Sequence, residues 1–191
     1  MGYPPRHEAE HAIHHAFARG NRRQEIFLDD RDRQLYLARL GSVVRRCGWR
    51  CLAYCLMDNH LHLLIETPDP NLGVGVQCLH SAYAKRFNAR HGTVGHVFQG
   101  RYGSNRIKDD VHLITTLRYI ARNPVEAGLC SRAEAWPWSS YSAIVRRRPP
   151  HWLDTTALFA YLGAGGGSPF RAYTELVNFD PERQSKGDSP L

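Results

Sequence analysis

The sequence predicts an α+β fold, a ferredoxin-like sandwich in which an antiparallel sheet carries helices on one face. Three observations lead there. Two short β-prone runs, Trp49 to Met57 and His60 to Thr67, are joined by the turn residues Asp58 and Asn59, the pattern of an antiparallel hairpin. Three longer segments repeat their apolar residues at helical spacing. Strand, helix, hairpin, helix, strand and helix follow in that order, which suits one sheet with helices stacked on it.

Taken in order, Ile13 to Ala18 alternates and runs into the basic turn Arg19-Gly20-Asn21-Arg22-Arg23, a first strand and its exit. Asp29 and Asp30 offer caps for a helix striped by Tyr36, Leu40, Val43, Val44 and Cys47, with Gly48 as its stop. After the hairpin, Pro68 to Gly75 reads as a loop. A second helix then carries Val76, Leu79, Tyr83 and Phe87 on one side and Gln77, Ser81, Lys85 and Asn88 on the other. His91 to Gly100 is punctuated by glycine, and Arg101 to Lys108 forms a further strand from which Arg101, Arg106 and Lys108 project. Asp109 and Asp110 start a third helix that runs to about Asn123 and is ended by Pro124. Trp136 to Tyr141 is expected to pack as an aromatic clasp onto the main body. Ala164 to Ser168 is a flexible glycine run. The division expected is a principal domain over residues 1–145, a C-terminal helical extension over 146–180 and a disordered tail over 181–191.

Lys and Arg number 25 against 18 Asp and Glu in a chain of 191 residues. Between Ser81 and Arg122 stand eight basic and two acidic residues, so this segment holds most of the chain's net charge of +7. Such concentration favours a polyanion, nucleic acid ahead of an anionic membrane surface. No apolar run approaches the roughly 20 residues of a membrane span, and the polar stretch Met1 to Glu10 lacks the apolar core of a signal peptide. A cytoplasmic protein is expected. The five cysteines include no Cys-x-x-Cys pair and read as reduced thiols.

On a strand His60 and His62 emerge on the same face, two imidazoles able to clasp one metal ion, whereas Leu61 and Leu63 face the other way. Alone, such a pair also suits an ordinary polar strand face. On the third helix, Leu113, Ile114, Leu117, Ile120 and Ala121 form the buried stripe at about 100° per residue. His112, Thr116, Tyr119 and Asn123 fall opposite. A tyrosine off the apolar stripe is presented to something other than the core, with Asn123 one turn on. An exposed tyrosine beside a helix-ending asparagine would look the same.

Four segments carry a resemblance: Ala53-Tyr-Cys-Leu-Met-Asp-Asn-His-Leu-His-Leu-Leu-Ile-Glu66, His96-Val-Phe-Gln-Gly-Arg-Tyr102, Arg118-Tyr-Ile-Ala-Arg-Asn-Pro-Val-Glu-Ala-Gly128 and Trp136-Pro-Trp-Ser-Ser-Tyr141. Their order and spacing resemble the single-tyrosine HUH transposases, and among them the IS200-like and REP-associated tyrosine transposases of bacteria. The likeness runs from about Ile13 to Tyr141. It implies that His60 and His62 bind a divalent metal, that Tyr119 attacks DNA, and that Asn123 completes the metal site. Two departures stand out. The family usually has proline where this chain has Asp58, which would loosen the hairpin turn, and lysine is common where Gly103 stands, which would remove a phosphate contact.

The reading that follows is metal-assisted cleavage of single-stranded, hairpin-bearing DNA and strand transfer through a 5′-phosphotyrosine. A phenol, ordinarily ionising near pH 10, is a poor nucleophile at neutral pH, so charge from the metal or from Arg122 would have to favour the phenolate. Two histidines and an amide with open positions suit Mn²⁺ or Mg²⁺. Arg19, Arg22, Lys85, Arg101, Arg106, Lys108 and Arg122 are the expected DNA contacts. Tyr83, Phe87, Phe98 and Tyr102 are candidates to stack bases, although Tyr83 and Phe87 lie on an apolar stripe and read as core. Two rivals remain at this level: a catalytically idle DNA- or RNA-binding module, and a metal-dependent hydrolase in which water attacks.

Overall fold

The computed structural model describes residues 10–163 and 166–179. The expected tail at 181–191, the segment Met1 to Ala9 and two residues of the glycine run lie outside the described residues. Strands β1 (Ala12–Arg19), β2 (Arg50–Leu56), β3 (His60–Thr67) and β4 (Gly103–Arg106) form one antiparallel sheet in the order β2-β3-β1-β4. Helices α1 (Asp30–Cys47), α2 (Leu72–His91) and α3 (Asp110–Glu126) follow β1, β3 and β4 in turn. The shorter α4 (Ser140–Val145), α5 (Thr155–Leu162) and α6 (Pro169–Asn178) complete the chain. Among the described residues no helix is long and apolar enough to cross a membrane.

The α+β sandwich is the one expected, and its chain path says which helix lies where. β1 and β2 are both antiparallel to β3, and β3 and β4 are both antiparallel to β1. Each of the units β1–α1–β2 and β3–α2–β4 is therefore a parallel crossover, and the right-handed rule puts both helices on one face. Phe27, Tyr36 and Tyr83 lock that layer together, with ring centroids 5.2–5.5 Å apart. The expectation of helices on one face holds for this pair. Helix α3 lies across the opposite face, where Tyr119 meets His62.

Local chemistry explains most boundaries. Asp29 caps α1 by accepting from Asp32 N, and Gly48 closes it at φ 66°, a left-handed conformation that glycine adopts without steric cost. Asp109 caps α3 in the same way, accepting from His112 N. Three boundaries differ from expectation. α2 begins at Leu72, so the supposed loop is partly helix; Gly75 is tolerated because the Trp49 indole lies against it and a β-carbon there would overlap the ring. β4 is only four residues long, because its pairing with β1 spans His14 to Phe17. Pro124 does not end α3: it sits buried in the last turn, and the ladder resumes with Ala127 N donating to Asn123 O at 3.0 Å. A proline that late forfeits one backbone bond while keeping its packing.

The aromatic clasp is as expected. Trp136 Nε1 donates to Leu56 O, Leu56 N donates to Trp138 O, and Ser139 bridges Cys55, so this segment covers the free edge of β2. α5 and α6 add Leu158, Tyr173 and Val177 to the same core.

Candidate active site

Register turns the alternation of two strands into a cluster. Arg19 stands opposite His60 and Phe17 opposite His62, so Ile13, His15, Phe17 and Arg19 share a face with His60, His62 and Leu64. Helix α3 crosses this face. Tyr119 lies 100° around the helix from Ile120 and is 46% exposed, whereas Asn123, 40° closer to the apolar stripe, is buried. Thr116 is buried as well, so the side of α3 expected to be polar and open is half covered by the sheet.

Four rings and one amide meet there. The Tyr119 ring stands edge-on to His62, centroids 5.2 Å apart, and to His15 at 5.8 Å. His60 and His62 are nearly perpendicular at 5.2 Å. His60 Nδ1 lies 2.7 Å from Asn59 Oδ1, and its Nε2 lies 3.0 Å from Asn123 Oδ1. His62 Nδ1 lies 3.0 Å from His15 Nε2. His62 Nε2 is buried without a hydrogen-bond partner. Burial is the main cause that lowers the His60 pKa, and burial, then the neighbouring His15 and His60, pushes His62 down to about 3. Burial and then His112 bring His15 to about 4. All three rings are thus neutral near pH 7 and offer lone pairs.

These residues fit a divalent ion. A neutral His60 has one N–H; with that proton on the Asn59 side, the Nε2 lone pair and Asn123 Oδ1 face each other as two acceptors, an opposition that a cation relieves. Their 3.0 Å separation matches two adjacent corners of an octahedron with ligands about 2.1 Å from its centre. The orphaned His62 Nε2 would supply a third donor. Among the described residues no group of three or more His, Cys, Asp or Glu could hold a metal. A set of two imidazoles and one amide leaves positions open for substrate oxygen and water.

The other expected residues are scattered more widely. Arg19 is exposed beside His60, and Arg22, Arg101, Arg106 and Lys108 are exposed on the turn after β1 and around β4. Lys85 is exposed on α2, in the layer across the sheet from Tyr119. Arg122 is engaged elsewhere, with Nε donating to Glu126 at 2.9 Å and Nη1 to Val177 O at 3.2 Å. Phe98 and Tyr102, expected to stack bases, are buried like Tyr83 and Phe87; Phe98 stacks instead on His80. Asp58 does not loosen the hairpin turn. It is ion-paired to Arg33, whose guanidinium sits within 5.8 Å of the Phe27, Trp136 and Trp138 rings. At Gly103 a β-carbon would overlap the Phe17 ring, so the missing lysine makes room for that aromatic. Arg33 and His15 escaped the sequence reading. For His15 the signal was its alternation with Phe17 and Arg19 on β1.

A histidine pair with one ring buried and the other half-buried, a neighbouring amide and an exposed tyrosine on one face of a four-stranded antiparallel sheet define a site suited to metal-assisted nucleophilic chemistry on a polyanion. Residues 8–123 match the family model for IS200-like transposases, and the chain belongs to that family, whose members are DNA-cleaving enzymes of transposition. Among solved structures, a REP-associated tyrosine transposase bound to a REP hairpin is similar, with 19% identity, a TM-score of 0.64, and 78% of this chain and 89% of that one covered. A putative transposase from Deinococcus radiodurans aligns with a TM-score of 0.44 at 17% identity, over 60% of this chain and 93% of that one. No curated protein matches in sequence.

Proposed function

We propose that this transposase cleaves hairpin-bearing single-stranded DNA and transfers the strand through a covalent 5′-phosphotyrosine on Tyr119, with Mg²⁺ or Mn²⁺ held by His60, His62 and Asn123. The observation that carries the reading is the edge contact of the Tyr119 ring on His62, whose Nε2 is buried and unpaired beside the His60–Asn123 couple. A bound divalent ion would supply Lewis-acid polarisation of the scissile phosphate.

Tyr119 attacks phosphorus through its phenolic oxygen; the bond to the 3′ oxygen breaks, the phenol gives up one proton and the departing oxygen takes one. No water or nucleotide is consumed, so a second 3′-OH can reverse the step and join a different strand. Arg19, exposed beside His60, is the cation nearest the site in strand register and serves the backbone there. Arg22, Arg101, Arg106 and Lys108 would hold the flanking phosphates. Lys85 and Arg122 are weaker candidates, the first by position and the second by its bonds to Glu126 and α6. Residues 1–145 are assigned as the transposase unit and 146–180 as a helical extension. Such a substrate would set the protein to work at the bacterial nucleoid.

The test is cleavage of one sequence presented as a hairpin-bearing single strand and as duplex, with and without Mn²⁺. Metal-dependent cutting of the single strand, at least tenfold faster than of duplex, is expected. Equal cutting of both, or cutting without metal, contradicts the reading.

A further inference from the structure

His15 and His62 stand diagonally across β1 and β3, since His62 pairs with Phe17 and His15 with Leu64. Both side chains point to the face under α3, and both are buried. Their rings lie 5.1 Å apart, and the one contact between their nitrogens joins His15 Nε2 to His62 Nδ1 at 3.0 Å. One of the two must donate. If His15 donates, His62 carries its proton on Nε2, and a buried N–H is left with no acceptor. If His62 donates, its Nε2 presents a lone pair to the site, and a cation can satisfy a lone pair as it cannot satisfy an N–H.

We propose that His15 is a positioning residue: its Nε2 accepts the Nδ1–H of His62, fixing the tautomer and ring orientation in which His62 Nε2 faces the metal site. The inference rests on the reading of His60, His62 and Asn123 as metal ligands. It assigns a role to a residue outside the proposed ligand set, of the kind that ligating histidines commonly require from the neighbour of their second nitrogen. The same ring forms part of the floor under Tyr119, 5.8 Å away, so ligand and nucleophile share one support.

Two variants separate the hydrogen bond from the packing. His15→Leu keeps bulk and removes the acceptor; His15→Gln offers an amide oxygen at a similar reach. The full-length, metal-free protein is titrated with Mn²⁺ and free ion followed by electron paramagnetic resonance, while ¹⁵N shifts of the His62 imidazole report which nitrogen is protonated. His15→Leu is expected to weaken Mn²⁺ binding by about 10–100-fold, and His15→Gln to stay within roughly threefold of wild type. In the wild type Nδ1 of His62 should carry the proton. A proton on Nε2, or Mn²⁺ affinity indifferent to His15→Leu, overturns the role of His15 alone. Wild-type protein that takes up no Mn²⁺ overturns the ligand reading and this role with it. Should His15→Leu fail to fold, His15→Asn, whose shorter amide falls short of His62, replaces it and must show the same loss against His15→Gln.

Discussion

His60 Nε2 and Asn123 Oδ1 approach to 3.0 Å across the gap between β3 and the last turn of α3, so the strand and the helix that carry the site meet at that point. Helix α3 thereby brings Tyr119, one turn earlier, over His62.

Removing either imidazole should therefore cost chemistry and little else. His60→Ala and His62→Ala are expected to lower metal-dependent cleavage by at least about 100-fold, the loss of several kcal/mol of transition-state stabilisation, with DNA affinity within a fewfold of wild type. Asn123→Ala should be milder, raising the Mn²⁺ needed for half-maximal cleavage by roughly tenfold, because water can replace an amide oxygen. Undiminished cleavage in either histidine variant removes the metal assignment.

The family's lysine cannot simply be restored at position 103. A side chain there meets the Phe17 ring, so Gly103→Lys should destabilise the fold by roughly 1–3 kcal/mol through overpacking, read as a lower thermal midpoint, with no gain in DNA affinity. Adding Phe17→Ala should recover part of the loss. If Gly103→Lys alone is as stable as wild type, Phe17 is free to move and the paired departure has no steric basis.

Acid should weaken the fold in part through His80. Its ring stacks on Phe98 at 4.2 Å and lies 3.2 Å from the Tyr36 hydroxyl, and burial pushes its pKa down to about 4. An unfolded histidine titrates near 6.5. Between those values the unfolded chain binds a proton that the folded chain does not, so stability rises with pH across the window and is lost on acidification; above pH 6.5 the group contributes nothing. His80→Gln should shrink the stability difference between pH 7 and pH 5 by roughly 1–2 kcal/mol. An unchanged difference would mean that His80 charges without cost.

What was legible in the sequence is what depends on local period. The hairpin, the shared face of His60 and His62, and the displacement of Tyr119 from its stripe follow from periods of 2 and 3.6 residues and survive in the structure. The end of α3 is not legible in the sequence because buried packing of Pro124 outweighs its missing N–H. His15 is hidden because its contact with His62 depends on the β1–β3 register, which joins residues 47 apart. Arg33 was hidden for a similar reason: a buried arginine among three aromatic rings depends on chain segments that meet only after folding. Phe98 and Tyr102 look available for bases because their neighbours are basic, yet both are buried, Phe98 against His80 and Tyr83 of α2.

The central claim is that Tyr119 is the nucleophile, and the most direct measurement is the covalent species itself. Tyr119→Phe removes one oxygen from a half-exposed ring and should leave folding and DNA binding as they were. Labelled single-stranded DNA incubated with wild type and Mn²⁺ should give a protein–DNA adduct that withstands denaturant and is destroyed by protease, and Tyr119→Phe should give none and cut nothing. An adduct formed by the variant would move the nucleophile to another tyrosine, and cutting by the variant without an adduct would make water the nucleophile; either result contradicts the account.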